Sequence, residues 1–249
     1  MAGATPSAEE LAAAIAPIID RVRLGIAGAV PQLAADLIDR YAVAPPTLQV
    51  IAMLRNAMPA RTVARDDLAA IFVYDPDRLS QVEVALESSL LEPVEDDSLR
   101  LAPRGRALIA DLQRVTDAYV ADLWSAQADV VADVGGIVAG LAERATAHAG
   151  PALRVLSPVY EPVGSSAAML LAERLTVLRF HRFDAHVAAW QAMGLTASEM
   201  RSGPSEELAG TIEEDTNRRA AVVYQPLSEA ERQTVLAGLS ALAGAPTAS

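Results

Sequence analysis

The chain has 249 residues, of which 52% are hydrophobic and only 4% aromatic, and its formal charge is −12. That apolar content can bury a sizeable core, which sets disorder aside. With so few rings, Ala, Leu and Val must do the packing, and such a composition favours helices. All 20 basic residues are Arg, and the acidic balance argues against a large nucleic-acid footprint, though not against a small basic patch on a dimer.

The absence of Cys excludes disulfides, thiolate metal sites and a cysteine nucleophile. The amino terminus is amphipathic and acidic, without the basic region and long apolar core of a signal peptide. The uncharged run of residues 24–35, interrupted by Pro31, falls short of the ~20 residues that span a bilayer. A cytoplasmic protein without membrane contact is therefore expected.

In chain order, Ser7 and Glu10 have capping-box spacing, and a helix follows to about Leu24. A second helix covers residues 31–41, stopped by Pro45-Pro46; Thr47 is then an N-cap for the apolar stretch TLQVIAMLRNAM. Residues 64–72 read as a short helix. Asp75-Pro76 opens a longer one, with Pro at its first position, running to Leu90 or Leu91. PVEDDSLRLAP has two short apolar strands around an Asp-Asp-Ser turn, a hairpin pattern, and Arg104-Gly105-Arg106 opens another helix.

Helix, helix, helix, hairpin, helix is the order of a winged helix. The expected fold class is mainly α, with a winged helix-turn-helix module (residues 46–112) carrying a small β-hairpin wing, plus an additional helical domain. Residues 1–45 would be dimerisation helices. Residues 113–150 form one long connecting helix with a kink at Gly135-Gly136. Residues 151–249 form the C-terminal helical domain. There Gly150-Pro151 and residues 157–166 read as linker, Ser165 or Ser166 caps a helix over 167–193, Thr196 and Glu199 form a capping box, a helix covers 204–221, and Ser228 caps the last helix.

In a winged helix the third helix enters the major groove and the wing tracks the backbone. Here residues 75–97 hold eight acidic residues and a single Arg, Arg78. Reading bases falls to Arg78, Ser80 and Gln81, with flanking Arg61, Arg65, Arg100 and Arg104, against a wing tip of Glu95-Asp96-Asp97 that repels phosphate. The DNA-binding candidates are Arg65, Arg78, Ser80, Gln81 and Arg100. The alternative is that these charges form a solvated face.

The other concentration of chemistry is the helix AERLTVLRFHRFDAHVAAWQAMG, which holds two of the three His residues of the chain. Apolar residues fall on two sides of it, the pattern of a central, buried helix, with polar seams between them. Charges so placed need partners or a ligand. One reading is a network of structural ion pairs. The sharper reading is a ligand pocket drawn from Arg174, Arg179, Phe180, His181, Arg182, Phe183, Asp184, His186 and Trp190, with Asp184 in reach of His181 at i+3 and an Arg gripping an anionic group.

No metal site and no cofactor are expected: the five-residue spacing of His181 and His186 sets their rings about 140° apart. A His–Asp pair could serve acid–base chemistry, but no nucleophile elbow, Walker A or dinucleotide motif accompanies it.

Four stretches carry a family likeness. LRLAPRGRALIADL resembles the wing-to-helix segment of MarR-type regulators, and PLSEAERQTVLAGLSALA resembles their final, dimer-making helix. LRFHRFDAHVAAWQAMGLTASE, with EEDTNRRAAVVYQPLSEAER, resembles an LR-x-HR-x-D-x-H-x-AA segment of winged-helix proteins of actinobacterial type. The resemblance implies a homodimer that binds DNA and releases it on binding a small, often aromatic ligand. The acidic third helix and wing depart from that pattern. The expectations left open are a ligand-responsive regulator, a small-molecule-binding or protein-interaction protein without DNA, and an enzyme acting through His181 and Asp184.

Overall fold

A computed structural model describes residues 5–245. The chain is mainly helical, with twelve α-helices and one three-stranded antiparallel sheet among the described residues.

The first helix, α1 (Ala8–Leu33), starts on the Ser7–Glu10 capping box. It does not stop near Leu24. The buried stripe Leu11, Ile15, Ile19, Val22 and Ile26 runs through Gly25, and burial of that stripe outweighs the ~1 kcal/mol that a Gly costs inside a helix. Consequently α2 is short (Ala35–Arg40). Helix α3 (Pro45–Leu54) begins with Pro45 rather than at Thr47. Thr47 is buried in it, and its Oγ1 donates to Oε1 of Gln81 at 2.9 Å.

The expected helix over 64–72 is instead a strand, β1 (Val63–Ala64), followed by the single turn α4 (Leu68–Ile71). A 3₁₀ turn at Pro76–Arg78 leads into α5 (Leu79–Glu87). The hairpin β2 (Leu91–Val94) and β3 (Ser98–Leu101) follows, with sheet order β1-β3-β2 and Val63 opposite Leu99. Asp96 and Asp97 at its tip take φ of 59° and 53°, the left-handed region that Asp tolerates better than most residues.

Helix α6 (Pro103–Leu123) ends at the buried Trp124, and after a 3₁₀ turn the chain restarts as α7 (Ala128–Ala147). The break therefore falls at Trp124, and Gly135-Gly136 lie inside uninterrupted helix. By length and composition alone Ser125–Ala147 could cross a bilayer; in the fold Val131, Val134, Val138 and Leu141 are buried and α7 packs on α9 and α12. Pro151, read as linker, begins α8 (Pro151–Leu156).

Helix α9 (Ala167–Ala192), capped by Ser166, is the central element, in contact with α1, α6, α7, α8 and α11. Helices α10 (Ala197–Ser202), α11 (Glu206–Ala220) and α12 (Glu229–Ala243) complete the chain, with capping boxes at Thr196–Glu199 and Ser228–Glu231. One contiguous core runs from α1 to α12, with a small satellite around Trp190 and Ile212.

Candidate ligand-binding cavity

The nine residues of the expected pocket on α9 do not converge on one space. Arg174 makes a forked pair with Glu161 at 2.7 and 3.0 Å. Trp190 donates its indole N–H to the Tyr74 hydroxyl at 2.7 Å, and the Tyr74 ring stands edge-on to Phe183 at 5.3 Å. Arg182 is bound by Asn217 and Glu213, and His186 bonds through Nδ1 to the Thr216 hydroxyl at 3.2 Å. Arg182, Phe183 and His186 border a small cavity of about 160 Å³ beneath α1.

His181 and Asp184 turn into the core and serve different partners. The Asp184 carboxylate accepts the backbone N–H groups of Ala152 and Leu153, both at 2.9 Å. It thus caps α8 from another helix and occupies two of the donors that the first turn of a helix leaves unbonded. Burial raises its carboxyl, with those hydrogen bonds opposing. His181 is held toward the Ala220 carbonyl, and its Nε2 is buried without a partner. Burial pushes its pKa down to about 4, so the ring is neutral at pH 7. No hydrogen bond joins His181 to Asp184 among the described residues, which removes the geometric basis of the expected acid–base pair.

The candidate DNA contacts are also committed elsewhere. Arg65 bonds Glu83 at 2.6 Å, Arg78 bonds Asp75 at 2.6 Å, and Arg100 bonds Glu92 at 2.7 Å. Ser80 donates to the Asp77 carbonyl and Gln81 is taken by Thr47. Each of these three Arg is thus paired with a neighbouring acid, while the flanking Arg61 and Arg104 donate to backbone carbonyls.

A larger cavity, about 550 Å³, lies where α1, α3, α6 and α9 meet the start of α5. Its apolar wall includes Ile26, Ala27, Val30, Met53 and Phe180, and the exposed Leu24 stands at its border. Four Arg residues reach it, Arg23, Arg55, Arg78 and Arg179, an inversion of local charge in a chain of net −12.

Two of the four are neutralised beside the cavity, Arg78 by Asp75 and Arg179 by Asp20 at 2.7 Å. Arg55 is buried and bonds Oε1 of the buried Glu173 at 2.5 Å, while Glu173 Oε2 is unpartnered. Burial works to raise the Glu173 carboxyl, but the charges of Arg55 and Arg23 outweigh it and hold it below the ordinary range. Arg23 is in no ion pair among the described residues. It is densely surrounded by protein, yet keeps partial solvent access. Desolvation lowers its pKa to about 10, with Glu173 opposing and Arg55 and Arg179 reinforcing the drop, so it stays charged at neutral pH.

Polar atoms complete the wall. Thr116 lies on the buried stripe of α6 between Leu112 and Val120, only 2% exposed, and its hydroxyl has no hydrogen-bond partner. Thr176 donates back to the Ala172 carbonyl at 3.3 Å.

Sequence reasoning reached this cavity only through Arg179, Phe180 and Arg78. Arg55-Asn56 had a visible signal, a charged and an amide residue inside an otherwise apolar run, and so did Thr116, a polar residue in an i, i+4 apolar series. Arg23 had none. No family model, curated protein or solved structure matches this chain. The site therefore rests on its own geometry.

Proposed function

We propose that this is a small-molecule-binding protein built on a winged-helix scaffold. The order α3, β1, α4, α5, β2, β3 with sheet order β1-β3-β2 supports the scaffold, in keeping with the likeness of LRLAPRGRALIADL to MarR-type wings. The observation that carries the binding function is the cavity of about 550 Å³ closed jointly by α3 and Arg78 on one side and by α1, α6 and α9 on the other. Its size and mixed apolar and polar wall suit a drug-sized ligand.

The test is ligand-induced thermal stabilisation across a panel of small apolar molecules. Binding at saturation raises the unfolding temperature, and Met53→Trp, which fills the space, removes the effect while leaving the fold intact. A panel without a single shift would defeat the proposal.

A second reading, a ligand-responsive regulator, draws on one feature: Arg78 sits both on the cavity wall and at the entry to α5, the helix that would meet DNA. The acidic α5 and hairpin, with their Arg residues paired, weigh against it. Fluorescence anisotropy on promoter DNA at low salt decides between the two. Binding that falls steeply with salt and is weakened by Arg78→Ala favours regulation, since each phosphate contact contributes to the salt slope. The first reading expects no measurable binding. Homodimerisation belongs to the same proposal, but α1 and α12 already pack on each other within the chain, so a dimer would need faces beyond the ones they bury here.

A further inference from the structure

Resting on the small-molecule reading, we infer that the ligand of the α1/α3/α6/α9 cavity is an apolar monocarboxylate, with its carboxylate seated on Arg23 and the Thr116 hydroxyl. The charge balance of the wall points there. Arg78 and Arg179 are each matched by an adjacent carboxylate, whereas Arg55 and Arg23 share the single buried carboxylate of Glu173. One positive charge is left over. A half-enclosed unmatched cation favours an anion, and a monoanion restores neutrality where a dianion would overshoot.

Thr116 is a second, independent observation. A buried hydroxyl without a partner is destabilising. On a helix it could have bonded back to the preceding turn, as Thr176 does. Thr116 instead stays unbonded on the cavity wall, as a donor to a carboxylate would. The remaining wall (Ile26, Val30, Met53, Phe180, with Leu24 at the rim) is apolar and takes the ligand's body. A guanidinium is suited to grip a carboxylate through paired N–H groups.

The experiment uses the full chain and two matched pairs of probes, octanoate against octan-1-ol and 1-naphthoate against 1-naphthamide, by titration calorimetry at pH 7.5. The expected result is that at least one carboxylate binds at least tenfold more tightly than its neutral counterpart. Arg23→Gln should abolish that preference. Thr116→Val should weaken the carboxylate several-fold while raising the unfolding temperature of the free protein, because a methyl replaces an unsatisfied hydroxyl; retained unfolding cooperativity shows that both variants fold. Octyl phosphate, a dianion, should bind no more tightly than octanoate.

Neutral probes that bind as well as their carboxylates, or a preference that survives Arg23→Gln, would overturn the anion assignment and leave the cavity reading standing. Tighter binding of octyl phosphate would overturn the monoanion assignment. If no probe binds and Met53→Trp changes nothing, both fall together.

Discussion

Buried polar residues divide this protein into those that are satisfied and those that are not, and the difference assigns their roles. Asp184 is satisfied: two backbone donors of α8 reach it. Asp184→Ala would strand both donors in the core, with an expected loss of ~2 kcal/mol by urea unfolding, and an unchanged midpoint would show that α8 caps itself otherwise. His181 is neutral and largely desolvated. Its folded value of about 4 lies below the ordinary 6.5, so the unfolded chain takes up the proton first. The stability it contributes is therefore complete above pH 6.5 and is lost as pH falls toward 4, with a ceiling of about 3 kcal/mol. His186, also lowered by burial, adds in the same sense, whereas Asp184, raised by burial, works against it. Unfolding free energies at pH 7 and pH 5 should differ less in His181→Gln than in the parent; an equal slope would assign the effect to other groups.

At the scale of elements, two glycines make opposite predictions. A Cβ on Gly105 would lie 2.0 Å from the Leu90 carbonyl oxygen, at the seam between α6 and the start of the hairpin. Backbone cannot yield as a side chain can, so Gly105→Ala should destabilise by ~3 kcal/mol or loosen the hairpin. Gly210, on the exposed face of α11, has nothing within 4 Å of its added Cβ, and Gly210→Ala should stabilise by roughly 0.5–1 kcal/mol through helix propensity. Thermal melts of the two variants moving in the same direction would contradict this packing. The same contrast explains which helix boundaries were legible. Ends defined by a local cap, at Ser7, Ser166, Thr196 and Ser228, were readable in the sequence because the cap and the backbone N–H it accepts from lie three residues apart. Ends decided by packing were not: α1 continues through Gly25 and Gly28, and α6 stops at the buried Trp124 rather than at Gly135-Gly136.

Over the whole molecule, charge and core behave separately. Most of the ion pairs have an exposed partner and contribute little singly, while the net charge of −12 repels itself. Raising NaCl from low to moderate concentration should therefore raise the unfolding temperature by about 2–4 °C, the response to ~1 kcal/mol in a chain of this size. A fall would mean that the exposed pairs dominate. Arg55–Glu173 is the exception. It is buried, and Glu173→Gln should cost about 3–5 kcal/mol by leaving two guanidiniums facing each other without a carboxylate.

The sequence by itself determined the mainly helical class, the hairpin, the local caps and the central place of α9, because each rests on periodicity or on residues a few positions apart. It also carried the acidity of the would-be DNA face. Only the tertiary structure decided where the chemistry sits. The α9 residues grouped by sequence separate across different partners, and the cavity draws Arg23, Arg55 and Thr116 from three other helices. A helix shows its own faces in its sequence, but which neighbour each face meets is set by packing at long range. So the unmatched charge of Arg23 became visible only once Glu173, Arg55 and Asp20 were in place around it.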